Sequence, residues 1–155
     1  MESWFLDKSV LRFLLRRVFV PGQSVGELGA FGGEYSAWLN ETGLVRAFAF
    51  DGVVEAHGIT AGRVQGGVDL AHRSLQLFRR FDWVLCLEVG EHLPKGTEDT
   101  ILENVARHAK VGAVISWATP DYPSPYHPNT LTLEESTRAV ERHGFRQDGR
   151  LTAAL

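Results

Sequence analysis

Cysteine is almost missing from this chain. A single residue, Cys86, among 155 excludes an internal disulfide framework and makes a reducing cytoplasm the expected setting. No charge of one sign dominates. A formal net charge of −3 gives no general pull toward nucleic acid or an anionic membrane, leaving only a local basic patch as a route to either. No apolar run approaches the roughly 20 residues needed to span a bilayer. No internal repeat or low-complexity tract is present. The GxGxxG dinucleotide fingerprint is absent too, which counts against an NAD-dependent oxidoreductase. Proline is scarce, and four of the six prolines crowd into one stretch, at Pro120, Pro123, Pro125 and Pro128.

What remains is ordinary in amount. Hydrophobic residues make up 44% and charged residues 23%, the balance of a soluble globular chain. Its length suits one compact domain over residues 1–155. Residues 1–20 carry Trp4, Phe5, Val10, Leu11, Leu14, Leu15 and Val18 at helical spacing. The acids come first, an arginine pair lies inside, and no small-residue cleavage site follows, so a leader is not expected here. An amphipathic helix packed on the domain is expected, capped by Ser3 or Asp7 and stopped at Pro21-Gly22.

Further along, apolar runs alternate with amphipathic segments. SVGELGA, VRAFAFDG, a weak GGVDL, FDWVLCLEV and VGAVISWATP read as strands. GEYSAWLNETG, HRSLQLFRR, residues 97–110 and LTLEESTRAVERHGF read as helices, with at most a turn or two in VVEAHGITAGRVQGG. This alternation predicts an α/β fold with a Rossmann-like, mostly parallel sheet flanked by helices. Asp148-Gly149, between two short apolar stretches, predicts a short antiparallel C-terminal hairpin. Cys86 and Trp38, Trp83 and Trp117 are expected in the core.

Ligands of such sheets bind beyond the carboxyl ends of the strands. Three acids sit at those ends. Glu27 precedes Gly29-x-x-Gly32-Gly33. A carboxylate there repels pyrophosphate and suits a cationic group such as an amine. Asp51 can accept from a ribose diol, and Asp69 from an exocyclic amine such as that of adenine. Amine, ribose and adenine together describe S-adenosylmethionine.

ELGAFGGEYSAWL (27–39), FDWVLCLEVGEHLP (81–94) and HAKVGAVISWATP (108–120) resemble three motifs of the class I S-adenosylmethionine-dependent methyltransferases. The likeness runs over residues 24–145. It implies that Glu27 orients the methionine moiety and that Gly29, with Ala30 and Phe31, brings backbone against it. It implies that Asp51 holds the ribose, that Asp69 and Leu70 read adenine, and that Glu88 lies near the sulfonium. Departures are Phe31 in place of a glycine, a nearly deleted helix after Asp51, and a short final hairpin. Glu88, His92 and His127 are the candidate catalytic residues, the histidines as general bases near neutral pH. Tyr122 and Tyr126, in the proline-rich loop, are expected to overhang the site.

Glu88-x-x-Glu91-His92, with His127, can in principle supply metal ligands. A similar ExxEH binds metal in the ubiquinone-pathway O-methyltransferases and in the RNA 3′-end 2′-O-methyltransferases. In many others it only orders the loop after the fourth strand, and that metal-free role is the expectation for this chain. The expected function is methyl transfer to an oxygen or nitrogen of a small molecule, ahead of RNA and with no membrane partner. The alternative is a non-catalytic module of the same fold that holds the cofactor or a partner.

Overall fold

The computed structural model describes residues 6–121 and 123–155. Ser3, Trp4, Phe5 and Tyr122, singled out above, lie outside the described residues. Five strands pair in parallel in the order β3-β2-β1-β4-β5: β1 (Ser24–Leu28), β2 (Arg46–Phe50), β3 (Val64–Gln65), β4 (Phe81–Cys86) and β5 (Ala109–Ile115). β1 is buried along its whole length, as a strand covered on both faces must be. The switch in strand order lies between β1 and β4.

Alternation along the strands sends side chains to two layers. Val25, Ala47 and Leu85 pack with Leu11 and Leu14 of α1 (Lys8–Arg17) and Leu39 of α2 (Glu34–Glu41). Leu28, Phe50, Val84 and Cys86 pack with Ile101 and Val105 of α4 (Glu98–His108) on the other side. The short α3 (Ala56–Ile59) covers Ala49 and Val64. Asp7 caps α1 by accepting from the backbone N–H groups of Ser9 and Val10, and Thr132 with Glu135 forms a capping box on α5 (Leu133–Arg142). Among the described residues, no helix is long and apolar enough to cross a membrane.

Three local expectations are corrected. The third strand is Val64–Gln65, ahead of GGVDL, because the chain has already turned at Gly67 (φ 73°) when it reaches Val68. The segment 72–80 is not helical. Its backbone polar groups are met instead by side chains of α4. The Asn104 amide donates to the carbonyls of Leu70 and His72, both at 2.9 Å. Arg107 donates to Arg73 and Leu75, and the Leu77 N–H donates to His108 Nε2 at 3.0 Å. Finally, the C-terminal hairpin does not form. Asp148 accepts from Arg150 and Leu151 N–H and caps a sixth helix, α6 (Gly149–Ala154). Asp-Gly serves a helix start as well as a hairpin turn, and Leu151, Ala153 and Ala154 favour the helix.

Asn104 is fully buried, so its amide is not replaceable by water. Asn104→Ala is expected to lower stability by about 2–4 kcal/mol through two orphaned carbonyls, read from denaturant unfolding. A change under about 0.5 kcal/mol would show that the 70–77 segment is held by other means.

Candidate functional site

At the carboxyl end of the sheet, over the switch point, lies a cleft of about 910 Å³. Its lining brings together Glu27, Gly29, Ala30, Phe31, Asp51, Asp69, Leu70, Glu88, His92 and His127. The residues nominated from sequence for catalysis and cofactor binding therefore face one space, whereas Glu91 and Tyr126 are not part of its lining.

The first wall is the turn after β1. The Gly29 and Ala30 N–H groups both donate to the Phe50 carbonyl at 2.9 Å, which bends the chain off the sheet. Gly29 adopts φ 78°, and a Cβ there would run into the Val89 side chain. Only glycine satisfies both the angle and the contact. Phe31 also takes a left-handed φ, 49°, and stands 70% exposed. Its N–H donates to Asp51 Oδ2 at 2.7 Å, while Asp51 Oδ1 accepts from Val53 N–H at 2.9 Å. Asp51 thus ties the two loops together, and each oxygen keeps a further acceptor position. Asp69 accepts from Ala71 N–H at 2.8 Å.

Glu27 is 8% exposed. Its Oε2 accepts from Ser36 N–H at 2.8 Å, in the first turn of α2, where orphan N–H groups point at an anion. Burial pushes its pKa up to about 7, and the like charges of Glu34 and Asp51 add to the rise.

The second wall follows β4. Glu88 has φ 55°. Its N–H donates to Ser116 Oγ, whose hydroxyl donates back to Glu88 Oε1 at 2.6 Å. A 3-10 turn, Gly90–His92, comes next. Glu91 is fully buried there, and burial, then the charge of Glu88, holds its pKa above the ordinary carboxylate range. His92 Nδ1 lies 2.9 Å from the Tyr126 carbonyl, and the His92 and His127 rings meet edge to face with centroids 4.8 Å apart. The proline-rich loop therefore does reach the 90–92 turn. Cys86, beneath it, is buried, and burial pushes its thiol up to about 12, so it is a core residue and no nucleophile.

Sequence reasoning missed Ser36 and Ser116. Each is a small hydroxyl residue, one in the first turn of a helix and one just past a strand, and neither position carries a sequence signal without its acidic partner.

No protein-family model matches the chain, and no curated protein matches it in sequence. Solved structures do share its fold. The magnesium protoporphyrin IX methyltransferase of Synechocystis PCC 6803 with bound S-adenosylmethionine aligns at TM-score 0.69 and 20% identity, covering 89% of this chain and 66% of that one. TehB from Haemophilus influenzae aligns at 0.69 and 17%, covering 90% and 51%. The [4+2]-cyclase SpnF aligns at 0.68 and 13%, covering 89% and 57%. The chain thus spans between about half and two thirds of the length of these three. At such identities the likeness establishes the class I methyltransferase fold.

Glu27 makes the site pH-sensitive. Its folded pKa lies above the ordinary 4.5, so the folded state holds the proton more tightly than the unfolded chain. Raising the pH from about 4.5 through 7 therefore removes stability, by up to about 3 kcal/mol. Glu27→Gln is expected to flatten that slope in denaturant unfolding measured across pH. A cationic ligand head relieves the cost of ionisation, so its affinity is expected to weaken below pH 7 in the wild type and to lose that pH dependence in Glu27→Gln.

Proposed function

We propose that the chain is an S-adenosylmethionine-dependent methyltransferase acting on an oxygen or nitrogen of a small acceptor. One observation carries the reading. Two carboxylates stand at adjacent parallel strand ends, Glu27 in register with Ala49 and Asp51 just beyond Phe50, on either side of a glycine turn with no room for a side chain. That is the order in which S-adenosylmethionine presents an ammonium, a methionine backbone and a ribose diol. The donor set fits the cofactor: a buried anion for the cation, bare backbone at Gly29, and spare acceptor positions on Asp51.

When bound, S-adenosylmethionine supplies a methyl group on a sulfonium that a lone pair displaces in line. The chain has to align the two partners and keep water out. Leu28, Leu85, Leu87, Val89 and Leu93 supply apolar walls to the cleft. Glu88 is fixed between them by Ser116. Asp69 and Leu70 close the far end, with the Leu70 carbonyl held by Asn104. A hydroxyl acceptor must lose its proton, and His92 or His127, both on the cleft, can take it.

A second reading, a module that binds the cofactor without turnover, is favoured by the four-residue α3 and two-residue β3, which leave the adenine side thinly built. The cyclase with this fold is a further reason not to equate fold with reaction.

Calorimetry with S-adenosylmethionine and S-adenosylhomocysteine, followed by transfer of a labelled methyl group to candidate hydroxyl and amine acceptors, separates the readings. One-to-one binding of both ligands is expected, weakened by about 1–3 kcal/mol in Asp51→Asn. If neither ligand binds, both readings fall. Binding with no transfer to any acceptor would favour the module.

A further inference from the structure

Glu91 is 0% exposed, and neither of its carboxylate oxygens has a hydrogen-bond partner among the described residues. A buried carboxylate without a partner is among the most costly arrangements a fold can hold. Two imidazoles stand beside it. One ligand atom from each of Glu91, His92 and His127 lies within 4.8 Å of the others. His127 Nδ1 is itself buried and unpartnered among the described residues. The Tyr126 carbonyl can only accept, so His92 must donate from Nδ1, which leaves its Nε2 lone pair available.

The surrounding bonds hold these groups together across the 35 residues from His92 to His127. Asn129 N–H donates to the Glu91 carbonyl at 3.1 Å, and the Asn129 amide donates to the Gly90 carbonyl at 3.2 Å. Trp117 Nε1 in turn donates to the Asn129 carbonyl at 2.6 Å. The loop bearing His127 is thereby fixed to the turn bearing Glu91 and His92.

We propose that Glu91, His92 and His127 bind a divalent transition-metal ion, reversing the metal-free role expected from sequence. Two imidazoles and a carboxylate suit zinc, iron, cobalt or manganese better than magnesium or calcium, which take oxygen sets. Bonds of about 2.0–2.2 Å at tetrahedral angles set ligand atoms about 3.3–3.6 Å apart, so the cluster, now within 4.8 Å, closes by about an ångström through side-chain rotation. His92, His127 and the neighbouring Glu88 line the cleft, so the open coordination positions face the acceptor space.

The role of the ion rests on the methyl-transfer reading. There it narrows the acceptor class to an oxygen nucleophile, whose hydroxyl pKa the ion would lower, so that His92 and His127 serve as ligands in place of the base role given them above. The hydroxyl proton leaves to water, an oxygen lone pair forms the new O–C bond, and the electron pair of the broken C–S bond stays on sulfur.

The test titrates the chelator-treated full chain with cobalt(II), followed by visible absorption and calorimetry. One ion per chain with d–d bands is expected, undiminished by excess magnesium. Glu91→Gln, His92→Ala and His127→Ala are each expected to lose more than tenfold in affinity, while replacement of the exposed His57 changes nothing. Because Glu91→Gln alters a buried position, circular dichroism checks its fold, and the exposed His92→Ala variant carries the test if it fails. Absence of saturable cobalt uptake, or unchanged affinity in both histidine variants, overturns the site. S-adenosylmethionine binding is measured on the same samples. Cobalt uptake without it would keep the site and remove its role, and the converse would overturn the site alone.

Discussion

One carbonyl organises the mouth of this sheet. The Phe50 oxygen accepts from both Gly29 and Ala30, and this double bond ends the β1–β2 ladder and swings the chain away from the sheet plane. The rest of the first wall depends on that swing. It presents Phe31 N–H to Asp51, lets α2 begin at Glu34, and aims the first turn of α2 back at Glu27. It also presses Gly29 against Val89, so the turn after β1 and the loop after β4 are fitted to each other. Of the three described non-glycine residues with positive φ, Phe31 and Glu88 both line the cleft. Strain held at such positions persists only where the surroundings over-determine it.

The electrostatics of the cleft are one-sided. Glu27, Asp51, Asp69 and Glu88 all contribute carboxylates to the lining, although the whole chain is close to neutral. Such a concentration of negative charge in a partly apolar space selects for cationic ligands. An ammonium and a sulfonium in one molecule match it, and so does a metal dication at the end lined by His92 and His127. The two proposals thus answer the same surplus of charge at different depths.

Much of this was legible in the sequence, and the failures have a common cause. Acids placed directly after apolar runs marked Glu27, Asp51 and Glu88 as strand-end residues, because a buried parallel strand tolerates a charge only where it emerges. The third strand, the segment 72–80 and the C-terminus were misread because distant partners or ambiguous residues decide them. Nothing within HRSLQLFRR reveals that Asn104, Arg107 and His108 will occupy its backbone groups. Asp148-Gly149 satisfies two kinds of turn equally well. Glu91 was visible as part of ExxEH, but its burial depends on a loop 30 residues downstream folding back over it, which no local pattern encodes. The proline-rich composition did indicate that this loop stays outside the sheet.

The central strand also constrains how the molecule assembles. β1 meets β2 across a short connection, but the bonds of Ser24 to Asp82 that fasten β1 to β4 close a loop of 58 residues. Closing a loop of that length costs more chain entropy than pairing β1 with β2. The cleft straddles this same seam, with Glu27 and Gly29 on one side and Glu88 and His92 on the other. Closing the seam is therefore the step that creates the cleft, so a half-formed chain with only β1 and β2 joined has no pocket to offer a ligand.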